Sequence, residues 1–563
     1  MNYLKGLFVC IIAINCSFAA IYAQDPDILI NHEVYHFIDR IDIRGVLETP
    51  LYTDMKPYGR DQISQILRFS HYKLDDRLPA TWNTRMREIC DDGFADSTGS
   101  RPVLRHFFKN GRDLFHKRID DFEIYLNPIL YLTGGLDRNN YGDSVTFDRN
   151  LLYRNTRGIQ VRGSIFRKVG FFSEVTENQW KTPAFVGSRY DERKSLWGEG
   201  FVKTFDETTN RGFDYFNGRG YLTYSPFRQM RIKFGKDRYF AGNGIQSMFL
   251  SDHAADHLFL HLDTRIWKIQ YINHFGQMID FLPSKADDMG AHPKKWFVFH
   301  QLNVTPTYWL SIGLFESIVY SPVMPGGIRG FELEYLNPII FYRSTEQFLG
   351  SPDNAFLGLT WKANLLKRFQ LYGQINLDDY NIRRRSEGSG FHGNRHAIQA
   401  GAKYIDAFSL TGLDLQLEYN QVRPFTYSHF NPTSNYTHYG QFLAHASGAN
   451  LRDLTAVGRY QATSRLYFTV SYTTLWKGLD SAGVNMGGGV FRPPLILPRE
   501  FGNVIGQGMQ LYVKTLYGKV AYQLWKLNLF FEAEARIRIE NELSSYSATA
   551  GFRWNIAPKP VKF

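Results

Sequence analysis

The last strand-length stretch of the chain sorts its side chains with a period of two. Tyr546, Ala548, Ala550, Phe552, Trp554 and Ile556 share one face, and Ser545, Ser547, Thr549, Gly551, Arg553 and Asn555 the other. An extended backbone puts alternate residues on opposite sides, whereas a helix would scatter both sets around its circumference. The pattern recurs. Leu527, Leu529, Phe531, Ala533, Ala535 and Ile537 oppose Asn528, Phe530, Glu532, Glu534, Arg536 and Arg538. Leu413, Leu415, Leu417 and Tyr419 oppose Asp414, Gln416, Glu418 and Asn420, and Phe369, Leu371, Ile375 and Leu377 oppose Gln370, Tyr372, Gln374, Asn376 and Asp378.

After residue 24 no apolar run approaches the ~18–20 residues of a spanning helix. A mean hydropathy of −0.32 likewise excludes a bundle of lipid-facing helices. The other structure that satisfies every backbone group in lipid is a closed β barrel, whose mark is alternation over ~10 residues. A soluble sandwich or propeller also has one apolar face, but here the polar faces carry charges and amides along the full strand, as a wet bore would. The connections alternate too. Short turns fall near Asn364–Arg368, Ala407–Gly412, Ala462–Ser464 and Leu524–Lys526; long ones near Asn381–Arg395, Arg423–Leu451 and Thr474–Gln507. Short turns on the periplasmic side and long loops outside are the plan of an outer-membrane barrel. The chain end falls on the short-turn side. At ~25 residues per strand and loop, the ~440 residues from Asp120 onward imply roughly 16–18 antiparallel strands.

Met1 to Ala23 has a basic start at Lys5, an apolar stretch from Leu7 to Ile14 and small residues up to Ala23, the pattern of a cleaved secretory signal. A lipoprotein signal at Cys16 is disfavoured by the bulky Asn15 before it. Removal of residues 1–23 leaves Cys90 alone, so the exported chain has no internal disulfide. Residues 24–118 do not alternate. Val34, Tyr35, Phe37, Ile38 and Ile41 have helical spacing, Gln62–Leu67 and Leu78–Cys90 suggest two further helices, and Asp91–Ser100 reads as a loop before a first strand at Phe122–Leu132. The expected organisation is a signal at 1–23, a helical periplasmic segment at 24–118, beside the barrel or plugging its floor, and an all-β transmembrane barrel at 119–563.

No residue set carries chemistry convincingly. His253, His257 and His261 would share a face only on a helix, but Leu258, Leu260 and Leu262 alternate there, so His257 and His261 read as strand residues on the polar face. No nucleophile elbow follows a strand, and Phe240-Ala-Gly-Asn-Gly244 lacks the dinucleotide fingerprint and its context. Neither enzyme, metal nor cofactor is expected. The net charge of +11 suits anionic headgroups or acidic glycans; nucleic acid is an unsuitable partner for an exported barrel. Arg383, Arg384 and Arg385 form a basic cluster in an outer loop, able to meet lipopolysaccharide phosphates or a glycan. Inward Arg231, Lys233, Asp237, Glu418, Arg536 and Arg538, with Tyr372, could hold a sugar polymer or form a salt-bridge network closing the bore. Phe491–Pro498 reads as an extended outer-loop segment able to fold over the mouth.

Several phrases carry a resemblance. NHEVYHFIDRIDIRG with KPYGRDQISQIL, then GKDRYFAGNGIQSMFLSDHA, GLFESIVYS, FELEYLNPIIFY and SPDNAFLGLTWKANL, resemble the Wzi family of outer-membrane capsule-assembly proteins. LQLEYNQVRPFTYSH and NYTHYGQFLAHASGANL resemble its Bacteroidetes-type members. The resemblance implies an eighteen-stranded barrel with a periplasmic helical plug, and a lectin-like role in holding capsular polysaccharide. It points to Gly242, Gly244, Ser251, Glu316, Asn337, Asp353, Asn354, Glu418, Arg423, Tyr427 and His438. Where the family phrase is Trp-Gly-Pro-Gly-like, this chain has Phe240-Ala-Gly-Asn-Gly244. Glu316 shares parity with Ile312 and Leu314, so facing a ligand would require a rim position or a bulge. Similar barrels in gliding bacteria suggest motility or adhesion as a second role, and a diffusion porin is a third. Outer-membrane lipid, lipopolysaccharide and the barrel-assembly machinery are the other expected partners.

Overall fold

The computed structural model describes residues 26–46, 51–72, 80–98, 105–108, 110–141, 148–166, 168–205, 211–281, 292–324, 327–337, 342–351, 353–481, 483–495, 497–524 and 527–558. The expected signal at 1–23 lies outside these residues.

Eighteen long strands, from Phe122–Asn139 to Leu543–Trp554, run antiparallel around one closed barrel, the upper end of the expected range. Closure comes from pairing the last strand with the first, from Ser545 opposite Asn139 to Trp554 opposite Leu130. Two short strands complete the wall. Phe115–Ile119 pairs with the foot of the first strand, so barrel pairing begins before the expected boundary at 119. Lys203–Thr204 pairs with the top of Gly212–Phe227.

The alternation maps onto the two faces. Leu371, Ile375, Leu377, Leu417, Phe531, Ile537, Tyr546 and Phe552 are exposed outward, while Gln370, Gln374, Asn376, Asp414, Glu418, Glu532, Arg538 and Arg553 are buried inward. Outward apolar groups match lipid, and inward polar groups find partners in the bore. Eight short connections lie at one end. At the other, one tight turn, Asn541–Glu542, accompanies eight longer connections.

The N-terminal segment occupies the short-turn end of the bore. Helices Glu33–Arg44, Arg60–Tyr72 and Ala80–Cys90 pack around Ile38, Ile41, Ile63, Leu67, Met86 and Cys90. The expected loop at Asp91–Ser100 instead contains a fourth helix, Asp92–Thr98. Its composition reads as a turn, but the buried Asp91 carboxylate accepts the Phe94 N–H at 3.3 Å and caps the new turn, which propensity alone does not reveal.

Ion pairs lock this plug to the wall. Arg40 donates to Asp414 and Asp406, both at 2.6 Å, and Arg44 also reaches Asp406. Lys362 donates to Asp42 at 2.7 Å, and Arg553 to Glu33 at 2.5 Å and Glu532 at 2.9 Å. Each charge is largely buried, so removing one partner strands the other; the cost of such a break is roughly 3–5 kcal/mol.

His32 caps the first helix, its Nδ1 accepting the Val34 N–H at 3.2 Å. Burial lowers its pKa from 6.5 to about 4. The folded chain therefore keeps His32 neutral in a range where the unfolded chain protonates it. Its stabilisation is complete above pH 6.5 and is lost as pH falls to 4, by roughly 3 kcal/mol. The Tm should fall between pH 7 and pH 4.5, and His32→Asn, which keeps a cap without titrating, should show a smaller fall. An equal fall in both proteins would contradict this account.

Candidate functional site

The bore is closed where two inserts meet. From above, the connection 238–256 descends inside the wall; from below, the plug rises, and Met55–Lys56 pairs with Phe240–Ala241. Asn243 donates to Asp54 and accepts from Thr53, both at 2.8 Å. Gly242 has φ +119°, and a Cβ there would stand 2.3 Å from Gln374. The phrase Phe240–Gly244 is thus a turn wedged between plug and wall.

Glu418 staples this turn. Its carboxylate accepts the N–H groups of Ile245 at 2.6 Å and Gln246 at 2.9 Å, the Tyr372 hydroxyl at 2.9 Å and the Asn420 amide at 3.0 Å. A Cβ on Gly244 would stand 2.5 Å from the same carboxylate, so a side chain there would have to push Glu418 out of this arrangement. A second insert, 423–450, lies across the first. Tyr427, at φ +71°, receives its fold from Asp378, which accepts its N–H at 2.6 Å, and its hydroxyl donates to Met248 O at 3.0 Å. Asn354 donates to Ser434 O at 2.9 Å. His438 accepts the Ile279 N–H through Nδ1 at 2.9 Å, and its Nε2 reaches Asp256 O at 3.2 Å. Ser251 N donates to Leu443 O at 2.7 Å. Around these bonds packs an apolar core that includes Met248, Phe249, Tyr427, Tyr436 and Phe442, with Phe491 of the proline-rich loop stacked on Phe442 at 5.5 Å.

The other expected residues lie apart from this junction. Arg231 and Lys233 sit low in the bore, donating to Asp27 at 2.5 and 2.7 Å; Lys233 also donates to Asp237 at 2.9 Å. They anchor the plug rather than line a mouth. Glu316 lies in unbroken register between His300 and Leu357, with no bulge, on the outward face of Ile312 and Leu314. It is buried because the outer loop folds down over the wall: helix Tyr342–Leu349 covers it, and Glu316 accepts the Arg343 N–H at 3.2 Å. Asp353 holds the same flap by accepting the Tyr335 hydroxyl at 2.6 Å, and Asn337 O accepts from Tyr342 at 3.0 Å. Arg383 and Arg384 stand on an outer helix, Ile382–Glu387. Arg383 is 90% exposed, and Arg384 donates to Glu387 at 2.6 Å. The Arg385 side chain lies outside the described residues. Arg423, beside the mouth, reaches Phe391 O at 3.5 Å.

Among the spaces the inserts leave is a cavity of about 110 Å³ against strands Val169–Lys181 and Gly212–Phe227. Asn178 and Trp180 come from the first strand, Asn217 and Arg219 from the second, Trp197 from the outer connection and Asp252 from the descending insert. Arg219 is held by Glu174 at 2.9 Å, and Asp252 accepts from Asn31 at 2.8 Å. Indole faces with amide, carboxylate and guanidinium edges suit a ligand with apolar C–H faces and hydroxyl rims. None of these six residues was expected from the sequence. The available signal was Trp180 just before a long outer connection and Trp197 within it. A separate group, Asp96, His116 and Glu123, could offer three metal ligands near the plug. There both His116 nitrogens already face carboxylates, at 3.5 and 3.0 Å, and Arg118 donates to Glu123 at 3.1 Å, so the group is satisfied as an ion-pair cluster.

Releasing the staple should open the bore. Glu418→Ala should raise single-channel conductance in planar bilayers well above that of the parent, while the heat-modifiable barrel persists. Unchanged conductance would mean the inserts hold without it.

Comparison with known proteins bears on this arrangement. The family model described as capsule assembly protein Wzi matches residues 197–543, more than half of the chain. Among solved structures, Wzi of Escherichia coli, described as an outer-membrane carbohydrate-binding β-barrel involved in group 1 capsule assembly, superposes with a TM-score of 0.55 at 13% identity, covering 95% of this chain and 100% of that one. OprD of Pseudomonas aeruginosa gives 0.40 at 11%, covering 78% and 96%, and OccAB3 of Acinetobacter baumannii 0.39 at 12%, covering 76% and 98%. A search of curated protein sequences finds no match. The matched span takes in the descending insert, its Glu418 staple and the crossing insert, and with the eighteen-stranded wall it places this outer-membrane chain in the Wzi family of capsule-assembly proteins.

Proposed function

We propose that this barrel holds a capsular or extracellular polysaccharide at the cell surface as a lectin, without chemistry on the polymer. The observation that carries this reading is the aromatic and polar cavity at Trp180, Trp197, Asn178, Asn217, Arg219 and Asp252, in a bore that the plug and inserts largely fill. A filled bore suits retention and does not suit a diffusion porin. The E. coli barrel is described as carbohydrate-binding, which agrees with the chemistry of this lining. Arg383 and Arg384 on the outer helix supply a second and screened contact for an acidic polymer.

Deleting the gene should release polymer into the medium while total synthesis is unchanged; continued retention would refute the role. In the purified protein, Trp180→Ala with Trp197→Ala should weaken binding of polysaccharide extracted from the producing cells by at least roughly tenfold, given ~0.5–1.5 kcal/mol for each aromatic face beyond its area. Arg383→Ala with Arg384→Ala should reduce only the salt-sensitive part of binding.

A further inference from the structure

The wall of the barrel has a window. Strand Gly212–Phe227 pairs without a break from Gly212 to Tyr224 with Val169–Lys181 on one side. On the other side the ladder skips: Asp214 pairs with Lys203 and Gly220 with Lys236, and among the described residues no strand faces those between. The reason is a low wall. Met230–Asp237 and its neighbour His257–Ile266 end together, with Asp237 opposite His257, and the chain then turns into the bore as the descending insert. A missing strand in a membrane barrel exposes backbone N–H and C=O groups, which lipid tails cannot satisfy. This gap therefore needs a polar occupant.

Its height fits the outer edge of the membrane. Outward residues on this strand run from Phe227, 58% exposed, to Phe216, 71% exposed. That span is roughly 25–30 Å along the axis at the usual strand tilt, against an apolar band of ~25 Å. The window opens just at Phe216. A second cavity, of about 400 Å³, fills it; Phe201, Lys203, Asp214, Phe216, Lys236 and Tyr439 are among its lining residues. Phe201 and Phe216 offer exposed ring faces, and lysines with an aspartate offer both charge signs at the rim. Balanced charge with aromatic faces suits a hydroxyl-rich chain better than a phosphate.

Asn217 lines both this cavity and the one that holds Trp180 and Trp197. Two contacts stand between them: Asn217 donates to Glu199 at 3.0 Å, and Arg238 donates to Asp256 at 2.5 Å. Resting on the polysaccharide reading above, we propose that the glycan enters the barrel sideways through this window at the outer membrane surface, and that the Asn217–Glu199 contact is the latch between window and inner cavity.

Gly218 provides the test. It lies between the two pairings that border the window, and a Cβ there meets only the Phe216 ring, at 3.9 Å, so a side chain at the window's edge is accommodated without disturbing the fold; Gly518, on another part of the wall, has nothing within 4 Å and serves as the control. Cys90 is buried, and burial pushes its thiol up to about 12, so it stays unreactive to maleimide near neutral pH. In Gly218→Cys, polysaccharide extracted from the producing cells should slow maleimide labelling at least fivefold, with no effect in Gly518→Cys. Gly218→Trp should weaken binding of that polysaccharide roughly tenfold, and Gly518→Trp should leave it unchanged. If the parent protein binds no polysaccharide, the retention reading itself fails. If it binds while Gly218→Cys labels at an unchanged rate and Gly218→Trp binds normally, the window is overturned and the retention reading stands. Protection of Gly218→Cys by lipopolysaccharide vesicles, but not by lipid-free polymer, would assign the window to lipid and overturn the glycan route.

Discussion

Lipid offers no hydrogen-bond partner to a peptide group, and this one constraint organises the molecule. It demands a ladder without edges, which eighteen strands supply by joining Leu543–Trp554 to Phe122–Asn139. A ring of that size encloses a wide bore lined by every second side chain. Those side chains are polar, so the bore must be filled by water or by groups that answer them. This chain fills much of it with its own plug and two outer inserts.

The filling is electrostatic at its lower end and hydrogen-bonded in its middle. Asp27, Glu33, Arg40 and Asp42 of the plug each meet an inward charge from a different part of the wall: Lys233, Arg553, Asp414 and Lys362. Buried pairs of this kind add little net stability over apolar packing, but losing one partner is costly, so they fix where the plug sits. Higher up, one carboxylate, Glu418, gathers two backbone N–H groups and two side chains to hold the turn that meets the plug. Many positions matching the family phrases, Gly242, Gly244, Glu418, Tyr427 and His438 among them, serve this closure. Their family resemblance carries the architecture of a stoppered barrel rather than a list of sugar contacts.

Legibility followed the range of each interaction. Strand parity is local, so the inward set at Gln370–Asp378 and Asp414–Asn420 could be read directly, and so could the outward parity of Glu316. What burial does to a charge is not local. Lys233 and Arg231 look like bore-lining cations until Asp27, some two hundred residues earlier in the chain, is found beside them. Glu316 is outward as its parity says, yet buried, because a distant helix at Tyr342–Leu349 folds over the wall. The fourth plug helix hid behind a capping aspartate in a turn-like composition. Trp180, Trp197 and Asn217 escaped notice because they come from three separate segments, each unremarked on its own.

By itself, the sequence determined that after the plug the chain turns to strands that alternate apolar with polar residues and close into a lipid-embedded barrel with short turns on one side. Side-chain direction in a strand is set by covalent geometry, which needs no knowledge of the rest of the molecule. Only the tertiary structure decided which inward charges are spent on the plug, that the mouth is stoppered, and that one low stretch of wall leaves a gap beside two tryptophans. Those outcomes depend on where strands end relative to their neighbours and on which distant segments meet in the bore, and register and long-range contact are properties of the assembled sheet.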